Sequence, residues 1–448
     1  MSDHAAPHAT VIFGLDPMWL SAAILIATYA ILLSERYHRT VVALIGGGLV
    51  ILAGIVRQEQ AIAGIDFNTI ALLTGMMIIV SVTKRSGLFE FVAIFAAKRV
   101  KADPVGILVV LSLVTAVFSA FLDNLTTVLL VVPVALLIVD KLQVSPHPFL
   151  ISQILASNIG GTATLIGDPP NILIGSATGL TFTDFLYHLG PVVVVILALL
   201  TVALRLIWGR SLTTTPELRA RVMSFVEADS ITDMRLLKQS LTVLALVIAG
   251  FIVGEHYHIR PGTTAMFGAA VLLFVTGLGE GRGGQATRLR DAFGEVEWGA
   301  LFFFMGLFII VGGVEHAGLL TLLGAELMEL TAGDPAVTAI TTLWVAGIVS
   351  AVVDNIPFVA TMIPLVESME TAIGGPEALE PVWWSLALGA CLGGNGSLIG
   401  AAANVMVVGL GDRTGYPLSF VRFAAFGIPI TLVSLGIASG YMLLRHFS

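Results

Sequence analysis

Apolar runs of roughly 18 to 20 residues recur along the chain, separated by short polar turns. Each is long enough to cross a hydrocarbon core of about 30 Å. Clear runs begin near Met18, Val41, Pro191, Leu241, Thr263, Gly299 and Phe423. Two apolar stretches read differently. Val109 to Val139 is apolar on both sides of Leu122-Asp123-Asn124-Leu125-Thr126-Thr127, and each arm falls short of the usual spanning length of about 20 residues. The flanking Lys101 and Lys141 need the same side of the membrane. Both facts predict a re-entrant helical hairpin with its tip at 121–127, and a second hairpin follows with its tip at 352–358. Ser157 to Asn171 cannot form one regular helix, because three glycines, two prolines and the pre-proline restriction on Asp168 interrupt it. A broken helix is therefore expected over 149–180, and Gly393 to Gly400 breaks a second one over 382–411. Ser86 to Val100 and Gly318 to Thr331 read as interfacial helices bracing the hairpins. The fold class is an all-α polytopic membrane protein with about ten transmembrane helices plus two re-entrant hairpins.

The pattern repeats. Asp66-Phe-Asn-Thr-Ile-Ala-Leu-Leu-Thr-Gly75 matches Glu297-Trp-Gly-Ala-Leu-Phe-Phe-Phe-Met-Gly306 at an offset of 231 (297 − 66). Gly87 with Gly318, Asp123-Asn124 with Asp354-Asn355, and Pro133 with Pro364 keep that offset, and Gly160 to Asn171 matches Gly393 to Asn404 at 233 (393 − 160). Five matches nearly in register point to duplication, with a first repeat at 1–208, a cytoplasmic linker at 209–239 and a second repeat at 240–448. Lys and Arg in short loops set orientation. Arg36, Arg39, Lys84, Arg85, Lys98, Arg99, Lys101, the linker arginines and Arg282, Arg288 and Arg290 fall together on one side when both termini face outward. Arg57, Arg260 and Arg445 stand alone on the other side. The basic pair Lys84-Arg85 becomes Glu315-His316 in the second half. That is the loss expected of an inverted repeat, the arrangement common in secondary transporters.

Composition agrees. Of 448 residues, 56% are hydrophobic and 12% charged, about half the charge of an average soluble domain. No stretch is long enough for a separate soluble domain. The formal charge of −8 lies mostly in loops and implies no basic partner. No basic stripe for nucleic acid is present. The lone Cys391 excludes an internal disulfide and a multi-cysteine metal site; simple burial is its expected state. Met1 to Thr10 lacks Lys and Arg, so no cleavable signal peptide is expected. His256 and His258 read as solvated loop residues, and Trp298, Trp383 and Trp384 as interfacial anchors. No nucleotide loop, zinc-protease motif or nucleophile elbow occurs, so no enzyme and no cofactor are expected.

Candidate chemistry sits at the hairpin tips and helix breaks. The tips present Asp123, Asn124, Thr126 and Thr127, then Asp354, Asn355 and Thr361, near the membrane midplane. A carboxylate there costs about 2.5 to 3.5 kcal/mol even on the lenient insertion scale. Two reasons could hold it: capping the second hairpin arm at its N-terminus, or binding and coupling. Proton carriage would use a carboxylate raised by desolvation, with Asp123 and Asp354 as the proton-coupling pair. Sodium would instead use Asp or Asn oxygens with backbone carbonyls, and the residues leave both open. The first break offers Asn158, Gly160, Gly161, Thr162, Thr164, Asp168 and Asn171. The second offers Gly393, Gly394, Asn395, Ser397 and Asn404. Non-helical backbone at this depth survives only where it lines a cavity or is buried in protein, and such breaks hold ions and substrates in transporters. The first break carries Asp168-Pro169-Pro170 where the second carries Ala401-Ala402-Ala403, so an asymmetric site favouring the first break is expected.

Leu122-Asp123-Asn124 with Thr126-Thr127 and Pro133, Asn158 to Asn171, Asp354-Asn-Ile-Pro-Phe and Gly393 to Gly400 together resemble the ion-transporter superfamily. The likeness runs from about Thr40 to Leu444. It points to the branch of arsenite permeases, NhaD-type sodium/proton antiporters and the melanosomal P protein, with its citrate-transporter-like domain. The resemblance implies a scaffold and a mobile transport domain, elevator-like alternating access, often a homodimer, and a multi-pass protein of the cell inner (plasma) membrane. In the related dicarboxylate carriers the hairpin tips carry Ser-Asn-Thr, and Asp123 and Asp354 stand where those serines would be. A fixed negative charge there repels a di- or tricarboxylate and favours a neutral or cationic solute. The expectation is proton-coupled efflux of arsenite or antimonite, a small inorganic substrate. Sodium/proton antiport is the first alternative. An anion channel and a membrane subunit for a separate ATPase are the others.

Overall fold

The computed structural model describes residues 11, 14–34, 36–279 and 281–448. The tail Met1 to Thr10, on which the expectation of no cleavable signal peptide rests, lies outside them.

The first half contains α1 (Pro17–Leu33), α2 (Arg39–Leu52), the short α3 (Gln58–Ala63), α4 (Phe67–Lys84), α5 (Leu88–Arg99), α6 (Pro104–Phe121), α7 (Asn124–Leu142), α8 (His147–Gly161), α9 (Pro169–Thr178) and α10 (Phe182–Trp208). A linker carries α11 (Pro216–Met223) and a 3-10 turn at Glu227–Ser230. The second half contains α12 (Met234–Gly254), α13 (Pro261–Thr276), α14 (Arg282–Gly294), α15 (Trp298–His316), α16 (Leu319–Leu330), α17 (Pro335–Ser350), α18 (Asn355–Ser368), the one-turn α19 (Glu370–Ile373), α20 (Pro376–Gly393), α21 (Ala402–Arg413) and α22 (Phe420–His446). The linker ends earlier than the sequence reading placed it, because Asp233 caps α12 by accepting from Arg235 N and Leu236 N.

The two halves start and stop their helices by the same local chemistry. Asp103 caps α6 before Pro104, and Asp334 caps α17 before Pro335. Pro at N1 costs nothing, since its missing N–H would be unpaired there anyway. Gly87 and Gly318 turn the chain into α5 and α16 at φ 78° and 84°, a left-handed conformation that side chains disfavour.

Topology follows from which ends meet. Thr115 and Ser119 of α6 donate to Gln153 Oε1 and Ser157 O of α8. Both pairs are 38 residues apart, so α6 and α8 run parallel. The intervening α7 must then run back, making α6–α7 a hairpin whose tip reaches the α8–α9 break. In the second half Ser350 of α17 donates to Ala390 O of α20 in the same way (2.6 Å). The hairpin arms are longer than expected, at 18 and 19 residues for α6 and α7, or about 27 to 29 Å. Their apolar limits understated them, because the Asp103-Pro104 cap starts α6 ahead of Val109 and α7 continues through Asp140. Length alone would count both arms as spans; a tip that meets the α8–α9 break, where Ala120 O accepts from the Thr164 hydroxyl, stops partway along that broken helix, as hairpin arms do. Each half then crosses with α1, α2, α4, α8–α9 and α10, or their counterparts. Five is odd, so the second half enters from the opposite side.

The helices form two packed groups. α4 lies against α13 and α15 against α2, each half lending a helix to the other, with α1 and α12 outside them. The hairpins, broken helices, α10 and α22 pack among themselves; α7 meets α21, and α18 meets α9. Glycines set the closest approaches. A Cβ on Gly160 would lie 2.2 Å from Ala116 O, and one on Gly393 would lie 2.5 Å from Gly347 O.

Trp383 and Trp384 are buried rather than interfacial. Trp384 stacks on His188 at 4.7 Å and donates to Glu380, so its polar edge is satisfied inside the protein. Trp298 is exposed. His256 and His258 are exposed as well.

Candidate functional site

Both breaks are sharper than the glycine runs implied. α8 continues through Gly160 and Gly161 and stops at Thr162, and α9 starts at Pro169. Asn171 Nδ2 ties the intervening loop by donating to Thr162 O (3.1 Å) and Thr164 O (2.9 Å). Asn404 does the same for the second break, donating to Gly394 O (2.7 Å) and Ser397 O (2.8 Å). The breaks are thus held by side-chain amides in place of helix hydrogen bonds, which answers the need to satisfy buried backbone groups in the membrane.

The hairpin tips dock onto these breaks. Asn124 Nδ2 donates to Asn158 Oδ1 (3.2 Å), and Asn158 Nδ2 donates across the repeats to Asn395 Oδ1 (3.0 Å) and Asn404 Oδ1 (2.9 Å). On the other side Asn355 Nδ2 donates to both Asp168 oxygens (3.2 and 3.4 Å). Cys391 Sγ lies 3.4 Å from Asn171 Oδ1 and beside Asp168 and Thr162. Asn124, Asn158, Asp168, Asn171, Asn355, Asn395 and Asn404 are all buried.

The two tip acids, the expected proton-coupling pair, both cap their hairpin arms. Asp123 accepts from Thr126 N (2.8 Å) and from the Thr126 hydroxyl. Asp354 accepts from Ile356 N (3.1 Å) and faces Arg39 Nη1 at 3.3 Å. Arg39 was legible in the sequence only as a loop charge. The structure puts it at the start of α2 and over Phe303. Tyr29 was not legible at all: its hydroxyl donates to Pro357 O and lies 2.6 Å from Thr361 Oγ1, clasping the second hairpin.

Other expected residues serve the scaffold. Thr162 and Thr164 hydroxyls donate to Asn158 O and Ala120 O. Ser397 Oγ accepts from Ile399 N. Gly161 and Gly394 allow each break to fold back on Gly167 and Gly400. Thr127 is buried with no hydrogen-bond partner for its hydroxyl among the described residues. No group of three metal-ligating side chains occurs among the described residues.

A cavity of about 20 Å³ lies between the tips, lined by Asp123, Asn124, Asp168, Asn355, Arg39 and Phe304 among others. That is room for about one water or a bare ion. Two vestibules approach it from related positions. One, of about 490 Å³, is walled by α1, α2, α15, the second tip and α21, and reaches Arg39 and Asp354. The other, of about 990 Å³, is walled by α12, α13, α4 and α9 and stops at Leu72, Leu165 and Ile172. Only the first therefore reaches a site acid.

Inverted halves, hairpin tips meeting helix breaks, and an acid–amide cluster between two vestibules define a multi-pass secondary transporter. Residues 29–389 match the CitMHS citrate transporter model, and the chain belongs to that family. It is 42% identical over 432 residues to a Mycobacterium tuberculosis (strain ATCC 25618 / H37Rv) transporter called uncharacterized, covering 96% of this chain and 98% of that one. It is 30% identical over 510 residues to the P protein of Homo sapiens, covering 95% of this chain and 60% of that protein. The crystal structure of the Alcanivorax borkumensis YdaH transporter shares the fold, with a TM-score of 0.62 and 14% identity over 96% of this chain and 98% of that chain.

Proposed function

We propose that this transporter carries out proton-coupled efflux of a small uncharged inorganic solute, arsenite or antimonite, by elevator-like movement of the hairpin group against the α2–α4–α13–α15 group. The observation that carries this reading is the charge of the site. Two carboxylates, Asp123 and Asp168, line a cavity of about 20 Å³ with one guanidinium, Arg39, and a third, Asp354, pairs with Arg39 from the adjoining vestibule. A free tricarboxylate would meet net negative charge there. Arsenite, largely a neutral trihydroxide at neutral pH, matches the Asn amides and hydroxyls, and Cys391 adds a soft sulfur beside Asp168. Acids buried near the midplane supply sites for a coupling proton.

Sodium/proton antiport is the second reading, supported by a cavity that fits a bare ion. Proteoliposomes of the intact protein with a pH-sensitive dye inside separate the two. An imposed pH gradient should drive arsenite flux, and arsenite should move protons. Proton movement in response to sodium but not arsenite selects the second reading. Arsenite flux indifferent to the gradient overturns proton coupling.

A further inference from the structure

The three site acids stand at helix N-termini, but their own backbone treats them differently. Asp123 and Asp354 each accept a backbone N–H of the helix they cap. Asp168, at the N-cap position of α9, makes no side-chain cap bond. The cause lies in the next three residues. An N-cap side chain is held by the N–H of N2 or N3. Here N2 is Pro170, which has no N–H, and the N3 amide, Asn171 N, is taken by Asp168's own carbonyl (3.0 Å). Pro169 and Pro170 thus start the helix while withholding the donors that would tie down the carboxylate.

What Asp168 does receive comes from the other repeat. Asn355 Nδ2 donates to its two oxygens at 3.2 and 3.4 Å. An amide N–H can donate to a carboxylate or to the carbonyl oxygen of a neutral acid, so this partner suits both charge states. The bond is charge-assisted only in the ionised state. Proton occupancy at Asp168 therefore changes how firmly the second hairpin tip is held to the first break. Asp123 faces Asp168 from the first hairpin, Asp354 from the second, Cys391 from α20 and Arg39 from α2. α4 contributes the apolar Leu73 and Met77.

We propose that Asp168 is the acid that takes up and releases the coupling proton, and that Pro169-Pro170 keep its carboxylate free to do so. The step is simple proton transfer: one oxygen of the carboxylate gains a proton from one vestibule and loses it to the other. This inference rests on the proton-coupled reading above, but its test does not need arsenite.

The purified full-length protein is titrated without substrate and followed by infrared difference spectroscopy in H2O and D2O. A protonated-carboxyl band should appear as pH falls, vanish in Asp168→Asn and persist in both Asp123→Asn and Asp354→Asn. Pro170→Ala restores an N–H at N2, so the midpoint of that band should move down by about one pH unit. The pH profile of dye-detected transport should move with it. A prolyl role confined to helix geometry would alter thermal stability and leave the midpoint in place. Loss of arsenite flux with the band behaving as stated removes the substrate reading alone. A band that survives Asp168→Asn, or a midpoint unmoved in Pro170→Ala, overturns the assignment. Should Asp168→Asn fail to fold, the Pro170→Ala midpoint decides.

Discussion

The two helix breaks occupy equivalent places in the repeats, yet they hold the site together differently. At the offset of 233, Asn158 corresponds to Cys391 (391 − 158) and Asn171 to Asn404. Asn158 donates to Asn404 Oδ1, and Cys391 stands against Asn171 Oδ1. The same cross-repeat contact is thus made once by an amide and once by a thiol. Asn124 then finds an amide oxygen on Asn158. Its counterpart Asn355 finds none on Cys391 and turns to Asp168 instead. One side of the site is a closed amide network, and the other is a carboxylate with a single amide donor and the Cys391 thiol beside it. A satisfied network resists change because each member lost leaves the others unpaired inside a low-dielectric interior. The difference assigns holding to the amide side and responding to the acid side.

The largest test of that contrast is Asn158→Leu. It removes the partner of Asn124 Nδ2, Asn395 Oδ1 and Asn404 Oδ1 together. At roughly 1 kcal/mol for each orphaned buried group in a membrane protein, the loss is about 3 kcal/mol. A clear drop in the detergent melting temperature and transport reduced more than tenfold are expected. Cys391→Ala removes one weak donor and should cost less than about 1 kcal/mol. Equal costs at the two positions would erase the distinction between the sides.

The next test concerns the two vestibules. Arg39 at the start of α2 pairs with the second tip at Asp354. The matching place at the start of α13 holds Arg260, at its N-cap, and Arg260 makes no ion pair among the described residues. Inverted repeats that exchange conformations would bring Asp123 to Arg260 when the hairpin group moves the other way. Arg39→Ala should therefore weaken the present conformation and Arg260→Ala the opposite one. The Arg39 pair is partly exposed, at 32% and 23% for the two side chains, so the shift is at most about 1 kcal/mol, or about fivefold in population. A cysteine placed at Val405, in the first vestibule, reports it through its rate of maleimide labelling. Labelling should slow in Arg39→Ala and quicken in Arg260→Ala; changes in the same direction would break the exchange.

A smaller effect is expected from Cys391→Asn, which restores the symmetric residue. An amide oxygen at 391 would compete with Asp168 for Asn355. The pH profile of transport should move while the melting temperature changes by no more than a degree or two. An unmoved profile would mean that Asn355 does not choose between the two.

The sequence made the repeat, both hairpin tips, both breaks and the inverted order legible, because Asp-Asn, Gly-Gly and Asp-Pro-Pro act locally on the backbone. It left hidden whatever depends on partners far along the chain. Arg39 lies 315 residues from Asp354 and Tyr29 lies 328 from Pro357, and no spacing rule links them. Trp383 and Trp384 depart from the expectation for the same reason: a Trp near a span end fits an interface until distant partners such as His188, which stacks on Trp384, enclose it. The hairpin arms came out short because apolar limits were read before caps.

The smallest effect lies where the halves differ outside the membrane. The linker straps α5 and the base of the first hairpin. Thr214 donates to Leu142 O (2.7 Å), Arg219 to Asp103 (2.9 Å) and Thr232 N to Ser86 O (3.1 Å). Lys98 meets Phe225 O and Glu227. α16, the counterpart of α5, packs on α15, α18 and α1 instead. The Lys98 ammonium holds Glu227 below its usual 4.5 through their hydrogen bond. A carboxylate lowered on folding stabilises above its unfolded value and ceases to do so as pH falls through the folded one. The strap should therefore be indifferent to pH from neutrality down to about 4.5 and loosen only below it. Such partly exposed pairs contribute little to global stability, so Glu227→Gln should leave the melting temperature nearly unchanged. Its effect should show as faster proteolytic cutting between 209 and 233 at neutral pH, matching the wild type under acid. Equal cutting of the two proteins at neutral pH would mean that Thr214, Arg219 and Thr232 hold the strap without the ion pair.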